Sequence, residues 1–432
     1  MSLRDRLLQG DAGIAVWGGG YIGASDAAFY AKHGVRSLIV ELDSVKVDKI
    51  NSGEMPYPDM TSWLGFDTKP LQKMFSATLD WYEALSPDYP VHLVCVNTEK
   101  DGKICSDFLA DVAGKIAKTE TKPLIIVEST LAPGWVDRVV RPKMRGSRIA
   151  VAPRRDWFTI LGRNIETLDR VVGATSPRVL KDAVEVLSIV SSKIHKASSY
   201  RIAELVKCVE NAYRYVEISL AYQLTFAYPS IDIREVLKLC GTKWNLETFY
   251  PNLGVAGYCI PESAKYVLSG AEFESELTLL VAAQEADRKM VHMIVDHFRF
   301  KQIGHRVVIL GLAYKGGLKV HIHSASVRLA KELHNSLGIS PLINDPLYSD
   351  DEIREITGFE PARFPEGLKG CDCIVLATDH NEYKSCPKKC LYEALEGCKL
   401  ILDCHGWWSN LADRFEKMGI EYHEIGDAGW LR

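Results

Sequence analysis

Gly18, Gly20 and Gly23 stand at G-x-G-x-x-G spacing in GGGYIG. The first glycine permits a tight turn, the second lets a pyrophosphate approach the backbone, and the third lets a helix pack closely on a strand. The acidic residue expected about 20 positions on, where it would accept hydrogen bonds from ribose hydroxyls, is Glu41, with Asp43 as the near alternative. A carboxylate there repels a 2′-phosphate, so the pattern predicts NAD rather than NADP. The motif follows the apolar run GIAVW and precedes a helix-compatible stretch, the context that separates a dinucleotide site from a plain glycine turn.

Cys259 lies in GVAGYCIP (254–261). Glycines allow close approach to a ligand and proline stiffens the exit. The thiol could be a covalent nucleophile activated by a cation, or one small buried hydrophobe among 11 cysteines. Glu204, Lys207 and Asn211 share one helix face. An amine and an amide there could stabilise an oxyanion, although local sequence alone favours a solvated face. Ser129 and Thr130 end the run LIIVEST, either at a strand's ligand-bearing carboxyl end or as a helix cap. Cys371, Cys373, Cys386, Cys390, Cys398 and Cys404, beside His405, include C-x-C and C-x-x-x-C spacings. Two lie inside apolar strands and no C-x-x-C pair occurs, so no metal site is expected. Trp407 and Trp408 read as core or interface.

These residues need a scaffold. Apolar runs at 13–17, 37–43, 91–96, 124–130 and 148–153 alternate with helical stretches and predict a parallel, doubly wound sheet to about residue 197. A 3.6-residue period over 198–228 (Ile202, Leu205, Val206, Val209, Tyr213, Val216, Leu220) predicts a long helix suited to a dimer surface, and a second helical block covers about 275–299. A Gly/Pro-punctuated loop is expected over 250–263. Alternation resumes at 306–315, 326–338, 340–346, 371–380 and 398–406. The fold class is α/β: two Rossmann-like doubly wound domains joined by a helical middle region, divided at 1–197, 198–300 and 301–432.

The 432 residues carry 52 basic and 56 acidic side chains, a formal charge of −4 without a long single-sign block, which argues against nucleic acid as partner. No apolar run reaches membrane-spanning length, and MSLRDRLLQGDAG lacks an apolar signal core. A cytoplasmic protein with reduced thiols is expected.

The order of motifs resembles the UDP-glucose/GDP-mannose dehydrogenase family across nearly the whole chain. The resemblance rests on GGGYIG with VELDSVKVDKINSGEMP, on VESTLAPG (127–134), on AELVKCVENAYRYVEISLA (203–221), on GVAGYCIP, and on GLAYK, NDP and ATDHNEY (311–315, 344–346, 377–383). It implies an NAD-binding domain, a helical dimerisation middle and a C-terminal sugar-nucleotide domain. It also implies two successive oxidations of a sugar C6 alcohol to a carboxylate. Cys259 then matches the nucleophile of a thiohemiacetal and thioester, Lys207 and Asn211 the groups polarising the C6 oxygen, and Thr130 the hydroxyl near cofactor and water. The resemblance assigns cofactor contacts to Tyr21, Ile22, Lys46, Thr98, Ser129 and Lys315 beside the glycines, Glu41 and Asp43. It assigns substrate contacts to Lys207, Asn211, Arg214, Tyr250, Gly254, Gly257, Tyr314 and Lys315.

The chain departs from the family pattern at informative places. Arg154 and Ser263 stand where the family has a glutamate and an aspartate tied to water activation, with Asp156 or Glu262 as candidate substitutes. Val320 and Ile322 replace an acid and an arginine of the substrate region, while Lys315 and Ser324 remain. Asn252, Ala256 and Tyr258 replace Gly, Gly and His or Ser. The central helix, Arg214 included, looks most like the branch acting on UDP-N-acetylhexosamines. UDP-glucose is the alternative substrate. A one-step oxidoreductase and a non-catalytic nucleotide-sugar binder stay open because of Arg154 and Ser263.

Overall fold

The computed structural model describes residues 1–100, 102–156, 160–304 and 306–431. The chain forms two compact units, residues 1–210 with 265–274 and residues 211–264 with 275–432.

The first unit is built on an eight-stranded sheet. Its strands are β1 (Gly13–Trp17), β2 (Arg36–Val40), β3 (Phe75–Thr78), β4 (Val91–Val94), β5 (Leu124–Val127), β6 (Arg148–Val151), β7 (Arg170–Ala174) and β8 (Ile194–Lys196). Their order is β8-β7-β6-β5-β4-β1-β2-β3. Strands β1, β4 and β5 are buried along their whole length, which is why they read as unbroken apolar runs rather than alternating ones. The sheet reverses between β4 and β1, and α1 (Tyr21–Lys32) and α2 (Ser44–Asn51) follow β1 and β2. Open α/β sheets bind ligands at that reversal.

The sheet is not wholly parallel: β7 runs antiparallel to β6. Strands β3, β7 and β8 lay outside the expected set. β3 and β8 are edge strands of four and three residues, too short for a periodic signal. β7 opens on a buried arginine that masks its apolar character.

A helix of 28 residues, α3 (Tyr200–Ala227), supplies its residues to Glu210 to the first unit and the rest to the second. The second unit adds α4 (Cys259–Gly270, to Ala264), α5 (Thr278–Phe300) and α6 (Ala325–Leu337) to a five-stranded parallel sheet. That sheet comprises β9 (Val307–Leu310), β10 (Leu342–Asn344), β11 (Cys373–Leu376), β12 (Leu400–Asp403) and β13 (Glu421–Glu424), in the order β10-β9-β11-β12-β13. Leu310, Leu376 and Leu402 are fully buried, and each such side chain stabilises by about 1.5–3 kcal/mol.

The expected loop over 250–263 ends early, because Cys259 opens α4. Pro261 occupies the first turn, where a backbone N–H has no intrahelical partner to lose, so the proline is compatible with the helix. Among the described residues no helix is long and apolar enough to cross a membrane.

Candidate active site

In the first unit the glycine turn carries the chain from β1 into α1. Gly18 has φ +101°, and a Cβ at Gly23 would lie 1.9 Å from the Gly18 carbonyl oxygen. A Cβ at Gly20 would meet nothing within 4 Å. Gly20 begins α1 without a side-chain cap. This cradle fits a dinucleotide pyrophosphate. The Glu41 carboxylate accepts from the N–H groups of Gly19 (2.7 Å), Leu42 (2.7 Å) and Asp43 (3.1 Å), which fixes it beside the turn. Asp43 instead caps α2, accepting from Val45 N–H at 2.9 Å. The Lys46 amine lies 4.0 Å from Asp43 and over the Tyr57 ring. Burial pulls its pKa down, but Tyr57, Glu41 and Asp43 together raise it. Tyr21 stacks on Tyr57 and donates to Asp59 at 2.9 Å, and Ile22 is half-buried.

At the ends of β4 and β5, Thr98 Oγ1 donates to the Thr130 carbonyl at 2.8 Å and lies 2.8 Å from the Tyr266 hydroxyl. Ser129 Oγ donates to Val96 O at 2.7 Å. Ser129 therefore ties two strand ends together rather than capping a helix. The cap of the following short helix, Val136–Val140, is Glu204. Its carboxylate accepts from Gly134 N–H (2.9 Å) and Val136 N–H (2.8 Å). Burial raises the Glu204 carboxyl, against the pull of those two bonds. The solvated face favoured by local sequence is thus corrected: Glu204 is fully buried, Lys207 half-buried and Asn211 buried. Helical spacing reveals a shared face but not what covers it.

Arg154, where the family carries a carboxylate, is buried in a charge cluster that sequence reasoning missed. Its guanidinium binds Asp156 twice (2.6 and 2.8 Å), pairs closely with Asp26 on α1, and lies 3.8 Å from Glu128. Arg170 on β7 binds the other Glu128 oxygen at 3.0 Å. Burial, reinforced by Glu128, raises the Asp26 carboxyl well above its usual range, although Arg154 opposes it. Asp156, a candidate water activator by sequence, has both oxygens engaged by Arg154. Among the described residues, Asp26, Cys95 and Glu128 form the grouping with metal-ligand spacing, and Arg154 sits against both of its carboxylates.

In the second unit Cys259 is exposed at the head of α4. Gly257 N–H donates to Ile322 O at 2.8 Å, and the Gly257 backbone lies against the Tyr314 ring. Burial, then the nearby Cys259 sulfur, pushes the Tyr314 phenol up to about 12. Ser263 Oγ accepts from Asn211 Nδ2 at 2.9 Å, so the two buried side chains satisfy each other. Glu262 pairs with His323 at 2.7 Å. Gly254 N–H and the Tyr222 hydroxyl both donate to Asn252 Oδ1, at 2.9 and 2.8 Å, giving that substituted side chain a role in holding the loop. Tyr250 lies under Arg234, Arg214 over Phe249, and Lys315 bridges to Leu318. Val320 receives the Tyr314 N–H through its carbonyl, a bond any residue type supplies. Ser324 donates to Leu312 O at 2.8 Å and caps α6. Cys371, Cys373, Cys398 and Cys404 are buried and carry free thiols, as do the other cysteines. Trp408 is core.

Three family models match the chain: the NAD binding domain of the UDP-glucose/GDP-mannose dehydrogenase family at residues 12–188, its central domain at 201–289 and its UDP binding domain at 308–410. The UDP-N-acetyl-D-mannosamine dehydrogenase of Pyrococcus horikoshii is 26% identical over 90% of this chain and 94% of its own. The UDP-N-acetyl-D-glucosamine 6-dehydrogenase of Pseudomonas aeruginosa is 26% identical over 87% and 92%. A solved structure of the UDP-D-ManNAc dehydrogenase from Pyrococcus horikoshii superposes with TM-score 0.79, at 23% identity, over 96% of this chain and 99% of that one. With a glycine cradle suited to a dinucleotide and domain matches from residue 12 to residue 410, the chain belongs to the UDP-glucose/GDP-mannose dehydrogenase family of NAD-dependent nucleotide-sugar dehydrogenases.

Proposed function

We propose that this chain oxidises the C6 alcohol of a UDP-N-acetylhexosamine to a carboxylate, with Cys259 as covalent nucleophile. The observation that carries the reading is an exposed thiol opening α4 beside Gly257 and Tyr314, in the unit containing the UDP-binding match. The relatives named above act on UDP-N-acetylhexosamines, which supports that sugar class over UDP-glucose.

The proposed cofactor holders are Gly18, Gly20, Tyr21, Ile22 and Gly23, with Glu41 at the ribose. Asp43, Lys46, Thr98, Ser129, Thr130 and Lys315 complete the set. Two NAD molecules, bound in turn, would each supply the acceptor for one hydride. In the protein's own part, the Cys259 sulfur bonds to the aldehyde carbon. Lys207 and Asn211 stabilise the oxygen of the resulting thiohemiacetal, and the thioester formed next is released by water. Covalent capture retains the aldehyde between oxidations. Thr130 orients the water, and Arg214, Tyr250, Gly254, Gly257, Tyr314 and Lys315 contact the nucleotide sugar. Residues 1–197, 198–300 and 301–432 then serve as cofactor, dimerisation and sugar-nucleotide domains.

The working form is a cytoplasmic homodimer through α3. Ile202, Leu205, Tyr213 and Leu220 on that helix are 42–69% exposed, an apolar stripe of the kind that marks interfaces.

The test is a panel of UDP- and GDP-sugars with NAD, following NADH and product mass. Two NADH per sugar and a uronic acid are expected, and Cys259→Ser should abolish acid formation while NAD still binds. Unchanged acid output from that variant rejects the nucleophile. One NADH per sugar with aldehyde as product supports instead the one-step reading that Arg154 and Ser263 motivate.

A further inference from the structure

We propose that His323, oriented by Glu262, is the base that activates water for release of the Cys259 thioester, an inference that rests on the function proposed above. Ser263 and Arg154 leave this chain without carboxylates at the two positions the family uses for water. Asp156 is bound at both oxygens by Arg154. A carboxylate nevertheless stands one residue before Ser263, three residues after Cys259, in the first turn of α4. Residues three apart on a helix lie on the same face, so Glu262 shares the face of Cys259.

Two contacts bracket the cysteine. Gly257 N–H is bonded to Ile322 O at 2.8 Å, and Glu262 Oε1 lies 2.7 Å from His323 Nε2. Consecutive residues of one segment thus hold the cysteine turn from both sides, and Cys259 lies between. The Glu262 side chain is nearly sealed at 4% exposure, whereas His323 is 21% exposed. Imidazole is therefore the member of the pair that meets water. It borders an open groove of about 340 Å³ shared with His321 and Arg328. His323 adopts φ +54°, a left-handed conformation that directs its side chain and that non-glycine residues adopt mainly at turns and functional sites. A carboxylate on one ring nitrogen fixes ring and tautomer and stabilises the cation formed when the other nitrogen takes a proton.

In the step itself, neutral His323 takes a proton from water as the water oxygen bonds to the thioester carbonyl carbon. The tetrahedral species collapses, the carbon–sulfur bond breaks and its electron pair leaves on Cys259. The imidazolium returns its proton to the sulfur. One water is consumed, a carboxylic acid and a free thiol are formed, and nothing is oxidised or reduced. Glu262 does not touch the reacting atoms and is a positioning residue.

The experiment uses the full chain with UDP-N-acetyl-D-mannosamine and NAD, and compares His323→Asn and Glu262→Gln with the unaltered protein. Asparagine tolerates left-handed backbone, so the turn is kept. His323→Asn should lower kcat by on the order of 10²–10⁴-fold with KM falling in parallel and kcat/KM little changed. It should retain a rapid first-turnover burst of NADH and accumulate a sugar-nucleotide acyl adduct on Cys259 by intact mass. Hydroxylamine, which cleaves thioesters, should restore turnover and release a hydroxamate. Glu262→Gln should show the same adduct with a smaller loss. Wild-type kcat without adduct, or loss of the burst together with turnover, overturns the assignment while leaving the dehydrogenase reading intact. No NADH from the unaltered protein across the sugar panel overturns both.

Discussion

Replacing Arg154 by methionine tests the buried charge cluster. Arg154 is 4% exposed and offers hydrogen bonds to Asp156, Asp26 and Ser25, with Glu128 3.8 Å away. Methionine fills much of the volume but leaves Asp26, Asp156 and Glu128 opposed by Arg170 alone. Removing one partner of a buried pair costs about 3–5 kcal/mol, because the remaining charge stays desolvated. At about 2–4 °C per kcal/mol for a domain of 150–250 residues, the melting temperature should fall by roughly 6–20 °C. Asp26, already raised by burial, rises further without the cation. A carboxyl with a higher pKa folded than unfolded favours the fold where it is protonated, so the deficit should be smaller at pH 5 than at pH 8. Urea titrations at both pH values and thermal scans measure this. Asp26→Asn is the control: an amide keeps the size of the carboxyl and cannot ionise, so this variant should lose less stability than Arg154→Met and should not share its pH dependence. The reasoning fails if Arg154→Met melts within about 2 °C of the unaltered protein, or if Asp26→Asn costs as much as Arg154→Met.

Three further outcomes follow from single sites. His92 is buried, accepts from Trp17 Nε1 at 3.1 Å and is pulled down to about 4 by burial. The unfolded chain protonates it below about 6.5, so stability present at pH 7 is lost as the pH falls, by about 2 kcal/mol at pH 5; denaturant titrations should show this slope, and His92→Gln should flatten it. Gly23→Ala forces a Cβ against the Gly18 carbonyl and should damage folding and NAD binding together, whereas Gly20→Ala meets open space and should fold normally yet bind NAD more weakly; equal melting temperatures for the two variants, or undiminished calorimetric affinity in Gly20→Ala, would refute the cradle. Tyr213→Glu with Leu220→Asp should convert a dimer to a monomer in sedimentation, and an unchanged mass would remove α3 as the interface.

Strands β1, β4, β5, β9, β11 and β12 were legible because burial on both faces leaves continuous apolar runs, and α3 because its period extends over 28 residues. The antiparallel β7 was not, since strand direction is set by long-range pairing that no local pattern encodes. The same limit applies at the site. Glycine spacing located the cradle, but Asp26 and Arg154 are 128 positions apart and Glu262 and His323 are 61 apart, so nothing local joins them. A signal existed for the first pair: an aspartate among the alanines of α1 is a poor core residue unless a cation answers it. Cys259 heading a helix is hidden because Pro261 stiffens a loop exit as readily as it fits a first helical turn.

The Arg154–Asp26 pairing also constrains how this sequence can change. An exchange of Arg154 for glutamate alone would crowd another acid among three, and an exchange of Asp26 for an aliphatic residue alone would strip a partner from a sealed guanidinium. Each of these first steps passes through a penalised intermediate, so an acid at position 154 or an aliphatic residue at position 26 is expected only with a change at the other position. Back-substitution of glutamate at position 154 is thus a two-site problem, and a library that varies position 154 while fixing Asp26 would miss its viable solutions.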